Sequence, residues 1–221
     1  IEIYNNSMHG HIYNTEGDKY KFDSAPDAWD VPDYRTPTCA VCHMAGVGEL
    51  KTTHNVSVRL KWNLWAPHSN QRNGGVDTAA KEWAESLKIS VGNTLAGHPD
   101  GADAGRKEMA AVCKSCHTST FTTNFFEMGD KHVMLYNFYN DEAMKMLNDL
   151  KEKKLLKDDE WSDEFQRAYY YSWHHEGRRM RMGALMGAPD YAHWHGVFDV
   201  QQDIRKMRTI YQKRIESGKI E

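Results

Sequence analysis

The sequence predicts a mainly α-helical protein, with a loop-rich first part over residues 1–130 and long C-terminal helices over residues 131–221. Three observations predict it. Apolar residues keep helical spacing at Leu135, Tyr139, Ala143, Met146 and Leu150, and again at Val197, Val200, Ile204, Met207 and Tyr211. The first part lacks such periodicity and is punctuated by Pro26, Pro32 and Pro37 among Asn, Asp and Gly. Within it a five-residue pattern occurs twice, Cys39-Ala-Val-Cys42-His43 and Cys113-Lys-Ser-Cys116-His117, and together these use all four cysteines of the chain.

A C-x-x-C-H run suits covalent attachment of a haem: two thiols add across its vinyl groups, and the next residue's imidazole ligates the iron. Two haems c are therefore expected, on Cys39, Cys42 and His43 and on Cys113, Cys116 and His117. A zinc site built from the two cysteine pairs is an alternative, but residues 43–112 separate the pairs and zinc does not require the histidine that follows each. A redox dithiol leaves the same histidines without a role.

Composition agrees with an interior filled partly by porphyrin. The chain has 221 residues, of which 40% are hydrophobic, and its mean hydropathy is −0.77. Its 7 Trp, 11 Tyr, 7 Phe and 11 Met are flat or pliable side chains able to pack on a porphyrin face, although an aromatic-rich core has the same composition. Twelve histidines leave ten beyond the two motifs as candidates for second axial ligands. A net charge of −3 and a pI near 6.5 give no basic field for nucleic acid, and no apolar run is long enough to span a membrane. Haem attachment of this kind takes place outside the bacterial cytoplasm, so a periplasmic or equivalent compartment is expected. The chain opens at Ile1-Glu-Ile-Tyr without a secretory leader, as a mature chain or a piece of a longer one would.

In chain order, residues 1–38 read as irregular structure containing His9-Gly10, where a glycine allows the backbone to approach a flat ligand and makes His9 a candidate distal ligand. His54 follows the first motif at a distance suited to a loop around a haem edge, and residues 59–75 read as loop with aromatic anchors. Asp77 is expected to cap a helix to Lys88, and a short helix over 104–113 to deliver the second motif. A long helix is expected from His132 to about Leu156. Another runs from Ser162 to Arg181, is interrupted at Gly183 and Gly187-Ala-Pro189, and resumes at Asp190. His195 lies one turn after Tyr191 on that last helix.

This ordered set resembles the C-terminal part of the multihaem cytochromes that include pentahaem nitrite reductase and octahaem hydroxylamine oxidoreductase: His9-Gly10, a haem motif followed by Met44, His54, a second haem motif, two long helices, and His193-Trp-His195. Pro189-Asp-Tyr191-Ala-His193-Trp-His195-Gly196 most resembles hydroxylamine oxidoreductase or hydrazine dehydrogenase. The resemblance implies a multihaem cytochrome c fold, a small nitrogen substrate (hydroxylamine or hydrazine), an electron-acceptor cytochrome and a homotrimer. It also implies His43 and His117 as proximal ligands, with His9, His54 and His195 as distal ones. Tyr191 becomes the candidate for a tyrosine bonded to a neighbouring subunit's catalytic haem, with Tyr169, Tyr170 and Tyr171 as rivals. The family's catalytic haem has no attachment motif here, so the chain is expected to be part of a longer polypeptide or a small subunit. A dihaem electron-transfer cytochrome and a nitrite-reductase-like enzyme stand as alternatives, and Met44, Met128 and Met134 are rival axial ligands.

Overall fold

The computed structural model describes residues 1–23, 33–63 and 102–220. Those residues are helical apart from turns and loops, and an isolated bridge between Val47 and Leu50 is their extended pairing. The helix expected at Asp77–Lys88, His98 and most of the expected 59–75 loop lie outside them; its start instead forms a 3₁₀ turn, Val58–Asn63.

The first correction concerns residues 1–38, which hold two helices, α1 (Glu2–Asn5) and α2 (Met8–Glu16), where the sequence suggested irregular structure. Ser7 explains the second: its buried Oγ accepts from the Gly10 N–H at 3.1 Å, capping α2. Gly10 is required by this packing, because a Cβ there would lie 1.9 Å from the Tyr4 carbonyl oxygen. Tyrosines close the region, the buried Tyr20 and Thr36 sharing a 2.6 Å hydrogen bond while the half-buried Tyr4 hydroxyl donates to the Pro37 carbonyl.

Helix α3 (Cys39–His43) carries the first motif and α4 (Ala102–Lys114) leads into the second. Then comes α5 (Ser119–Glu152), a rod of about 50 Å at 1.5 Å per residue. It starts well before His132, the expected boundary, because Thr118 caps it directly after the second motif and accepts from the Phe121 N–H. Its early turns bury Thr122 and Asp130, so no apolar stripe announces them. Asp130 instead accepts a two-pronged bond from Arg106 of α4 at 3.0 and 3.1 Å, locking the two helices together.

The C-terminal part forms two further rods. The first joins α6 (Glu164–Tyr171) through a π-turn, Ser172–Glu176, to α7 (Gly177–Leu185). The second joins α8 (Pro189–Ala192) through another π-turn, His193–Val197, to α9 (Phe198–Ser217). Gly183 does not interrupt the first rod. It permits a close crossing, since a Cβ there would stand 2.9 Å from the backbone of Ala192. The break falls at Gly187, whose φ of 71° reverses the chain ahead of Pro189.

Helix α9 packs on α5 and α6, and α7 on α5 and α8. The expected seam is core: Val200, Ile204 and Met207 are buried against Tyr136, Ala143, Met146, Leu150, Phe165 and Met180, with Val197 and Tyr211 alongside. One buried ion pair sits in this region. Arg214 Nη1 lies 2.9 Å from Asp163, which also caps α6 by accepting from the Phe165 and Gln166 N–H groups.

Candidate functional site

The first motif is a single turn of helix. Thr38 precedes α3, and the Met44 N–H closes it on the Ala40 carbonyl at 2.8 Å, so Cys39, Cys42 and His43 share one short element. In the second motif Cys113 belongs to α4, and the chain continues round one more turn: the His117 N–H bonds the Cys113 carbonyl at 2.9 Å. An x-x spacer in helical conformation places both thiols of each pair along one edge, as addition to two vinyl groups needs. Cys39 and Cys116 are exposed, and Cys42 and Cys113 are half-buried. Burial, then the charge of Cys113, pushes the Cys42 thiol up to about 12.

His9 on α2 reaches the second motif. Its ring centroid is 6.1 Å from that of His117, with 43° between the planes. Metal–imidazole bonds are about 2 Å long, so two imidazoles on opposite sides of one iron stand about 6 Å apart centre to centre. Burial, then the nearby His117, holds the His9 imidazole below its usual range, so that it is neutral and able to offer a lone pair. His117 also stacks on Phe121 at 4.3 Å and 19°. This ring is visible in the sequence only as a residue four places after His117.

His43 is held below its usual range by burial, with the Val56 carbonyl opposing and the charge of Arg59 adding to the effect. Its Nδ1 is buried without a hydrogen-bond partner among the described residues. That unpartnered nitrogen leaves the ring able to take a further partner. Arg59 itself was invisible in the sequence, since a lone arginine after a loop carries no spacing signal; it is fully buried behind the first motif.

The remaining candidates are dispersed. His54 is exposed on the turn before Val58. His195 is exposed on the second π-turn, its ring 5.0 Å from that of Tyr191. Tyr191 is buried, 5% exposed, and its hydroxyl donates to Glu2 Oε2 at 3.5 Å, which links α8 to α1. Burial, then the Glu2 charge, pushes that phenol upward. Tyr169 donates to Met144 Sδ at 2.8 Å, Tyr170 stacks on His174 at 4.7 Å, and Tyr171 is exposed. Met134 is fully buried in the helical part. His132, given no role by the sequence, has Nδ1 3.0 Å from the Met128 carbonyl, an arrangement that leaves Nε2 available.

A zinc site needs converging ligands, and among the described residues no three of His, Cys, Asp and Glu converge on a metal position. Two C-x-x-C-H turns, one with a second imidazole at axial spacing, define a c-type haem protein. Residues 1–162 match the family described as "Seven times multi-haem cytochrome CxxCH", and the chain belongs to it: it is a multihaem c-type cytochrome. Its fold is similar to a chain of the Kuenenia stuttgartiensis reducing HAO-like protein complex, with a TM-score of 0.76 and 19% identity over 98% of this chain and 53% of that one. A second solved chain, a hypothetical multiheme protein, matches with a TM-score of 0.74 and 20% identity over 98% and 52%. The chain thus spans about half the length of the solved chains it matches. No curated protein matches it. No described helix is long and apolar enough to cross a membrane.

Proposed function

We propose that this chain binds two haems c and relays electrons within a larger multihaem oxidoreductase that acts on a small nitrogen compound. The observation that carries the relay is the 6.1 Å separation of His9 and His117. His9 and His117 would together hold the iron of the second motif, and a haem held by two imidazoles would carry electrons rather than bind substrate. Haem supplies a one-electron carrier whose potential depends on its ligands, its burial and the hydrogen bonds around it. The chain's own residues do the rest. Cys39, Cys42, Cys113 and Cys116 would fix the rings, His43 and His117 would each supply an imidazole to the iron, and His9, His54 and His195 are the candidates for the second one. In this reading the chain works in an extracytoplasmic compartment beside an electron-acceptor or donor cytochrome, and substrate reacts at a haem attached outside these residues.

The direction of the reaction divides two readings. Oxidation of hydroxylamine or hydrazine by a homotrimer follows from the resemblance of Tyr191-Ala-His193-Trp-His195 and requires Tyr191 to bond a neighbour's haem. Reduction of a nitrogen oxide such as nitrite requires no such bond. The solved chain named above belongs to a complex described as reducing, which supports the reductive reading.

Intact-mass measurement of the purified holoprotein tests both parts. Two added haem masses are expected on this chain, with the Tyr191 peptide recovered unmodified after proteolysis. A chain without added mass contradicts the haem assignment. A denaturation-resistant haem adduct on the Tyr191 peptide contradicts the reductive direction and restores the oxidative one.

A further inference from the structure

Arg59 lies in the 3₁₀ turn Val58–Asn63, fully buried. Its guanidinium reaches four carbonyls of the first motif and the loop that follows. Nη1 donates to Val41 and Cys42 at 3.4 and 3.5 Å, and Nη2 to Ala45 and Lys51 at 2.8 and 3.2 Å. Two of these oxygens belong to the last turn of α3, where carbonyls have no partner within the helix. Nε faces Glu108 Oε2 at 3.6 Å. Glu108 stands on α4 five residues before Cys113, and the Arg59 turn packs along α4. One buried cation therefore ties the turn that carries His43 to the helix that delivers Cys113. A planar five-donor fork suits that task, and a lysine offers no such fork.

We propose that Arg59 is a positioning residue for the haem of the first motif, fixing its helical turn against α4 and raising its reduction potential. The inference rests on the haem reading given above. Reduction of a ferric haem adds one electron and neither makes nor breaks a bond, so the site becomes more negative by one charge. A buried cation hydrogen-bonded to the carbonyls of Val41 and Cys42, next to the ligating imidazole, favours that reduced state, and the low polarity around it strengthens the effect. Glu108, a partly exposed counter-charge, subtracts from it.

The two charges predict opposite signs, which a purely structural role does not. In the full holoprotein, Arg59→Gln, Arg59→Lys and Glu108→Gln are compared with wild type by potentiometric titration, with haem counted by the pyridine haemochrome spectrum. Arg59→Gln should disfavour reduction of one of the two haems by about tenfold, or about 59 mV for one electron. Arg59→Lys should fall between it and wild type, and Glu108→Gln should shift the same haem upward. Both haems stay attached. If Arg59→Gln fails to retain haem, Glu108→Gln decides alone: an upward shift supports the proposal, and no shift or a downward one overturns it. Shifts of the same sign in Arg59→Gln and Glu108→Gln also overturn it. A wild-type chain devoid of haem instead removes the reading on which the proposal stands.

Discussion

The helical part and the motif part of this chain are held together by different physics. Between α5, α6, α7 and α9, side chains such as Leu150, Phe165, Met180, Ile204 and Met207 are almost wholly buried against one another, as in any helix-on-helix core. Around the motifs the apolar cluster shrinks to Tyr20, Tyr34, Val41 and Val112, and cohesion passes to hydrogen bonds from Tyr4, Tyr20, Thr36 and Arg59 to the backbone and to one another. The first region stands on its own burial. The second is arranged around four thiols and three imidazoles, and in the proposed reading its interior would be completed by the porphyrins those residues hold.

The largest expected effect breaks this comparison outright. Changing Cys39 and Cys42 to Ala should remove one haem mass and render residues 1–63 sensitive to limited proteolysis, while a fragment containing 119–217 resists. Equal protection of both regions in that variant contradicts the division. Next comes the buried pair of the helical part. Arg214→Leu leaves Asp163 charged without its partner and should cost about 3–5 kcal/mol in chemical denaturation. Adding Asp163→Asn, which keeps a capping side chain, should recover part of that loss.

The same carboxyl sets an acid limit. Burial raises its affinity for protons, but the N–H groups of Lys157 and Gln166 and the Arg214 guanidinium outweigh burial and hold it below the usual carboxylate range. A depressed folded-state pKa stabilises at pH above the unfolded value of about 4 and is lost as pH falls below it. The helical part should therefore lose stability below about pH 4, and Asp163→Asn should flatten that dependence. The smallest effect sharpens the picture of the motif part: Ser7→Ala removes the cap of α2 and should cost about 1 kcal/mol. Hydrogen exchange should show it as faster opening of Met8–Glu16 with α9 unchanged.

What the sequence revealed follows the same division. The α9 seam and the α5 stripe from Leu135 onward were legible because burial there is carried by apolar side chains at a regular spacing. The start of α5 was not, because Thr122 and Asp130 are buried polar residues whose partners, such as Arg106, come from another helix. Helices α1 and α2 were missed for a similar reason: a serine cap and a close backbone crossing at Gly10 leave no periodic trace. The two motifs were fully legible, since covalent chemistry fixes their spacing. The pairing of His9 with His117 was not, as the two residues are distant in sequence and meet only through the fold. Arg59 gave no signal at all, although it binds the first motif to the helix of the second.

The account turns on His9 and His117 sharing one iron, and electron paramagnetic resonance of the ferric His9→Ala holoprotein tests that most directly. The expected result is one haem converted from a low-spin to a high-spin signal, with both haems still covalently attached and the other unchanged. Two low-spin haems in that variant, as in the parent, would contradict it.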